Sequence, residues 1–190
     1  MKINDLFREN RSYRRFLENE RVSPDLIIDW VNNARLAACS RNIQAQRYRI
    51  ITDKDTCAKV FPQLTWAAAL KDWSGPKEGE RPAAYVLIGR DSRLPGLADL
   101  DTGIAAEALR ISAIAAGYGS CLLASINKRA IIEQCDLPDW YQLDLVLALG
   151  KPAETVIIDE LAQGQNDLDY YRDDMDNHHV PKRNLEDLLI

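Results

Sequence analysis

Residues 99–121, DLDTGIAAEALRISAIAAGYGSC, set the architecture. From Asp99 to Ala116 the pattern is helical, rich in alanine and apolar on nearly every side, which predicts a buried helix that neighbours approach closely. Gly117 and Gly119 end it, because glycine supplies the backbone conformations that close a helix and lets main chain come near a ligand. A dinucleotide-binding fingerprint needs a strand before its glycines and a helix after, the reverse of this order. The stretch therefore reads as a core or interface helix followed by a turn. Glu107 and Arg110 within it, and its length, exclude a bilayer span, which needs about 20 predominantly apolar residues.

Working outward, Ser23-Pro24 followed by DLIIDWVNNARLAAC gives an N-cap, a first-turn proline and apolar residues at helical spacing, predicting a helix over 24–38. AQRYRIIT, AAYVLIG and LDLVLALG carry the β-branched and aromatic character of strands. Residues 71–82, KDWSGPKEGERP, read as an exposed loop able to lie over a site. The tail from 162 is polar and irregular before an apolar finish, unusual unless it is functional or lies on a partner. At 190 residues the chain is expected to form a single domain, 1–190, with 162–190 as a C-terminal arm wrapping another subunit.

Lys plus Arg number 24 against 29 Asp plus Glu, a net charge of -5, which argues against a general nucleic-acid binder. The N-terminal residues resemble neither a signal nor a transit peptide, so a cytoplasmic, non-membrane protein is expected. Cys39, Cys57, Cys121 and Cys135 lack metal or redox spacing and read as reduced thiols. Adjacent His178 and His179 cannot converge on a metal as residues one helical turn apart do.

Against the acidic total, ENRSYRRF at 9–16 packs three arginines and a serine into five residues. Arginine forks suit phosphate, although a solvated helix start pairing with Glu9, Glu18 and Glu20 has the same composition. HHVPKRNLED supplies a second basic pair, Lys182 and Arg183, behind Pro181. CSRNIQAQRY offers Ser40, Asn42 and Gln44, neutral groups suited to a heteroaromatic edge or simply to a polar loop.

In their order along the chain, NRSYRRF, ARLAACSRNIQAQRYRII, GIAAEALRISAIAAGYGSC, LVLALGKPAE and HHVPKRNLED resemble the nitroreductase family of FMN-dependent oxidoreductases, in a compact bacterial subgroup. The resemblance implies an α+β fold, a central mostly antiparallel sheet flanked by helices, in an intertwined homodimer with FMN at the subunit interface. It implies that Arg11, Ser12 and Arg14 hold the FMN phosphate and ribityl chain, with Lys182 and Arg183 closing on the same phosphate. Ser40, Asn42 and Gln44 fall in the loop that reaches the flavin ring, often from the partner. Leu123, Ala124 and Ser125 fall in the turn beneath it, with the Ala124 amide facing flavin N5. Asn10 stands where many relatives carry another arginine, and Ala45 where the loop usually ends in proline.

The implied activity is ping-pong transfer of hydride from NAD(P)H to nitroaromatic, quinone-like or related conjugated small-molecule acceptors, without an essential acid, base or nucleophile. Trp66, Trp73 and Tyr118 are available as an aromatic wall for the acceptor. The alternatives are a non-catalytic flavin-binding or redox-sensing dimer, or another flavin reaction such as dehydrogenation.

Overall fold

The computed structural model describes residues 2–70, 72–95 and 98–190. Met1, and Lys71 at the head of the 71–82 loop, lie outside them. The elements are α1 (Ile3–Glu9), α2 (Pro24–Leu36), β1 (Gln46–Ile51), α3 (Lys54–Val60), β2 (Ala84–Asp91), α4 (Ala98–Ala115), β3 (Gly119–Leu123), α5 (Lys128–Gln134), β4 (Tyr141–Gly150), β5 (Val156–Glu160), β6 (Tyr171–Arg172) and β7 (His178–Lys182). Four strands form one antiparallel sheet in the order β1-β2-β4-β3, and helices cover both faces. The expected α+β class and antiparallel central sheet are what the chain adopts.

Strand β2 lies between β1 and β4 and is buried nearly throughout, which explains its continuous apolar run AYVLI. Its side chains alternate: Val86 and Ile88 pack with Ile27, Trp30 and Leu109 under α2 and α4, while Tyr85 and Leu87 pack with Val60, Trp66 and Ile131 on the side of α3 and α5. The register with β4 shifts between Ile88 and Gly89, so Leu145 faces Ile88 but Leu143 faces Gly89. Asp144 is the extra residue, and the bulge reverses which residues of β4 point to each face. It also frees the Asp144 carboxylate to accept from Arg90 at 2.8 Å and from the Thr102 hydroxyl at 3.1 Å, tying sheet to α4.

Helix α4 differs from the expectation of burial on every side. Ala105, Ala106, Leu109 and Ala113 are buried against the sheet and α2, whereas Leu100 and Ile104 remain 65% and 45% exposed. The segment after Gly117, read as a turn, is instead β3; it pairs with β4 and is buried almost throughout, Cys121 and Leu123 packing into one core and Leu122 against the other. A second, three-stranded sheet orders β5-β7-β6, with β5 and β7 parallel. Its strands β6 and β7 lie in the tail that sequence pattern left irregular.

Residues 12–17 run along the end of the main sheet. Ser12 bridges Ser120, Phe16 bridges Pro152, and the Leu17 amide donates to the Lys151 carbonyl at 2.9 Å. Two glycines admit this strip: a Cβ on Gly119 would sit 2.8 Å from the Tyr13 ring, and one on Gly150 would sit 3.0 Å from the fully buried Phe16. Gly119→Val is therefore expected to destabilise the protein by about 1–3 kcal/mol through overpacking. Urea unfolding measures this, and unchanged stability would mean that the strip is not seated as described.

Candidate functional site

The N-terminal strip and the small sheet meet around a cavity of about 340 Å³, lined by Phe7, Asn10, Arg11, Ser12 and Arg14 on one side, Glu107 and Arg110 of α4, and Tyr170, His178, Val180 and Lys182 on the other. Strand geometry explains the last set. Successive residues of a strand face opposite ways, so His178, Val180 and Lys182 share the cavity face of β7 while His179 faces out.

Four cations converge here. Arg110 donates to Glu107 at 2.8 Å, and the same carboxylate accepts from Asn10 at 2.6 Å, pinning the end of α1 to α4. Arg11 is held by the Phe7 carbonyl, and Arg14 by the Ser12 carbonyl at 3.4 Å and by His178 Nε2 at 2.7 Å. Among the described residues, Arg11, Arg14 and Lys182 have no carboxylate within 4.0 Å. Burial and then the neighbouring Arg110 push the Arg11 pKa down; burial, Arg11 and Arg110 do the same to Lys182. The buried Nε atoms of Arg11 and Arg110 also lack hydrogen-bond partners among the described residues. Mutually repelling cations with orphaned donors are chemically suited to a multiply charged oxyanion.

One residue outside the cavity fixes its two walls. Glu154, with a side chain 1% exposed, accepts from the backbone amides of Arg14 and Arg15 and from the Arg172 guanidinium of β6. Arg15 turns the other way, to Asp176 and to Glu80 at 3.5 Å, and so stands apart from the cavity.

The remaining predicted residues fall elsewhere. Arg183 reaches Asn166 at the surface and does not line the cavity. Ser40, Asn42 and Gln44 lie on an irregular loop in which Asn42 and Gln44 have φ of 55° and 54°; the Ser40 amide is held by Asp101 at 2.8 Å. Leu123 is buried, Ala124 and Ser125 are exposed, and the Ser125 carbonyl accepts from Thr65 at 2.9 Å. Ala124 is four residues beyond Ser120, roughly 13 Å along an extended chain. Trp66 is core, packed beside Phe61; Tyr118 packs on Trp30; Trp73 lies near Arg15 and Arg172. Arg110 and His178 were not singled out for the site by sequence pattern. Alternation along β7 carried a usable signal for His178 and for Lys182 over Arg183, but only once that segment was recognised as a strand.

The molecule thus joins an α+β fold on an antiparallel sheet to a cationic cavity lined by the N-terminal strip, α4 and β7. The chain belongs to the Nitroreductase family, whose model matches residues 7–151. No curated protein matches it. Among solved structures it is similar to a nitroreductase family protein from Clostridium novyi NT, with TM-score 0.69 and 18% identity over 80% of this chain and 86% of that one. A protein of Exiguobacterium sibiricum 255-15, described as a nitroreductase in complex with FMN, gives TM-score 0.67 and 19% identity over 81% and 90%. One of Staphylococcus epidermidis ATCC 12228, described as an NAD(P)H:FMN oxidoreductase, gives 0.67 and 17% over 80% and 88%. At these identities the likeness is one of fold. The family match also ends before β5, so the β7 wall of the cavity rests on this chain's own geometry.

Two predictions follow from the walls. Glu154→Ala strips a buried partner from Arg172 and is expected to cost about 3–5 kcal/mol in denaturant unfolding; a cost near zero would remove Glu154 as the junction. The histidines give opposite pH slopes. Burial first, then Arg14, Arg172 and His179, lower His178 from 6.5 to about 4, so the unfolded chain binds a proton that the folded one refuses and stability falls as pH drops through that window. Hydrogen bonds to Asp159 and, more weakly, Asp173 outweigh the opposing effect of burial and raise His179, whose contribution is complete below 6.5 and is lost as pH rises through its elevated value. Thermal unfolding against pH should show the loss between pH 6.5 and about 4 flattened in His178→Gln.

Proposed function

We propose that the protein is an FMN-dependent oxidoreductase that takes electrons from NAD(P)H and reduces nitroaromatic, quinone-like or related conjugated acceptors. The carrying observation is the convergence of Arg11, Arg110 and Lys182, three cations from separate parts of the chain, on one cavity. That donor set fits a phosphate dianion, and the family supplies FMN as the phosphate-bearing group.

In this reading Arg11, Arg14, Lys182 and Arg110 surround the phosphate with the Ser12 hydroxyl, Arg14 on the side where the ribityl chain leaves it. Leu123, Ala124 and Ser125 take the ring end, the exposed Ala124 turn offering its amide. Bound FMN would supply a ring that accepts hydride from a nicotinamide and returns it to an acceptor. The protein's part is to bind, orient and stabilise developing negative charge with fixed donors. No side-chain acid or base is required of it.

Ser40, Asn42 and Gln44 serve the ring of a second chain's cofactor in an intertwined homodimer. Helix α4 supports that arrangement: Asp101 anchors the Ser40 loop and Arg110 lines the cavity, roughly 13 Å apart along the axis at 1.5 Å per residue. The exposed Leu185, Leu188, Leu189 and Ile190 give the 162–190 arm an apolar end to bury on that partner. Four cysteines without a disulfide, together with a nicotinamide donor, support a cytoplasmic setting for the reaction. No helix among the described residues is long and apolar enough to cross a membrane.

Anaerobic stopped-flow mixing of the flavin-loaded protein with NADPH, and separately with NADH, tests the reading. Bleaching of the flavin band by at least one donor and its return on adding a quinone are expected. A flavin that neither donor reduces would falsify the reductase assignment. Arg11→Ala should weaken FMN binding by about tenfold to a hundredfold, the loss of one or more charged hydrogen bonds, whereas Arg183→Ala should leave it nearly unchanged. Fluorescence titration with FMN separates the two.

A further inference from the structure

The adjacent histidines of β7 do different work. His179 faces outward, stacks on Tyr171 at 4.7 Å, and lies between Asp159, 2.9 Å away, and Asp173, 3.3 Å away. Its role is to fasten the small sheet. His178 faces inward, is fully buried, lines the cavity and touches no carboxylate among the described residues.

We propose that His178 is the positioning residue of the cavity: its neutral ring holds the Arg14 guanidinium at the cavity wall by accepting a hydrogen bond, leaving the arginine's charge undiminished for an oxyanion of the phosphate class. The inference rests on the reading of the cavity as a phosphate site.

The chemistry leaves little choice. A guanidinium only donates, so at 2.7 Å from Arg14 Nη1 the His178 Nε2 must accept, and its proton resides on Nδ1. The groups around the ring oppose any second proton: Arg14 and Arg172 are cations, His179 is next in the chain, and Tyr170 meets the ring edge-on at 5.4 Å. Tyr170 also lies beneath the Arg14 guanidinium, 4.6 Å from its ring centre, so Arg14 is held by a ring face and a ring nitrogen. The His178 amide donates to the Thr155 carbonyl at 2.9 Å, which fixes the ring's origin.

Compare the other arginines nearby. Arg172 is held by Glu154 and Asp176, and Arg15 by Asp176 and Glu80. Each carboxylate fixes its arginine and cancels its charge. A neutral acceptor fixes without cancelling. The buried Nδ1 has no partner among the described residues, a penalty that a ring placed only to fill space would not carry, since an apolar side chain would fill it without that loss.

His178→Gln, His178→Phe and His178→Glu in the full chain test this, each titrated with FMN and, separately, with inorganic phosphate by calorimetry. Glutamine keeps a neutral acceptor and should bind both probes within about threefold of wild type. Phenylalanine keeps the volume but no acceptor, and glutamate keeps the bond but cancels the charge; each should bind about tenfold more weakly, the scale of one charged hydrogen bond. If phenylalanine binds like wild type while glutamine does not, the ring only fills space and the proposal is overturned. Should the phenylalanine variant not fold, equal affinity of the glutamine and glutamate variants overturns it equally. Wild type that binds phosphate but not FMN sinks the flavin assignment and leaves the phosphate series to decide, while wild type that binds neither removes both.

Discussion

The two ends of the chain are held together by one buried carboxylate. Glu154 follows β4, its side chain is almost wholly out of water, and it accepts from two backbone amides of the N-terminal strip and from Arg172. A buried charge is tolerable only where donors surround it, so the strip and β6 must both be in place for this residue to be satisfied. Strand β6 in turn pairs with β7, which pairs with β5, so the same carboxylate ties the strip to the small sheet. The cavity walls are therefore tied by an interaction outside the cavity as well as by the Arg14–His178 bond within it.

The same economy of charge separates the arginines that brace the frame from those that face the cavity. Arg15, Arg90, Arg93 and Arg172 each sit against an aspartate or glutamate, and those pairs join segments distant in sequence or brace a turn. Arg11, Arg14 and Lys182 are held by carbonyls, by an imidazole or by packing. Density of positive charge in the sequence does not distinguish the classes, because Arg14 and Arg15 are neighbours with opposite fates. What separates them is direction along an extended strip, since consecutive side chains point to opposite sides.

That accounts for which parts of the molecule were legible. Helices α2 and α4 and strands β1, β2 and β4 announce themselves through periodicity because each buries a face or both faces in the main core. Strand β3 hid behind its glycines: Gly117 does close the helix with φ of 75°, but Gly119 opens a strand whose glycine is required by the Tyr13 ring above it. The small sheet hid because its strands are short and only partly buried: the apolar run Val156 to Ile158 of β5 has no alternation, and β6 and β7 are largely polar. Within the site, the N-terminal basic cluster was visible as composition. Arg110 was not, because within an alanine-rich helix one arginine paired with Glu107 at i,i+3 resembles any solvated helical pair.

Helix α4 finally sets a distance that no rearrangement of side chains can alter. Its first turns anchor the Ser40 loop through Asp101, and its later turns present Glu107 and Arg110 to the cavity. A straight helix is a rigid spacer, and burial of Ala105, Ala106, Leu109 and Ala113 against sheet and α2 prevents it from tilting freely. Loop and cavity are thus held apart within one chain. If both serve one ligand, a second chain brings them together, and the exposed Leu100 and Ile104 on the open side of the same helix give that chain an apolar surface to meet.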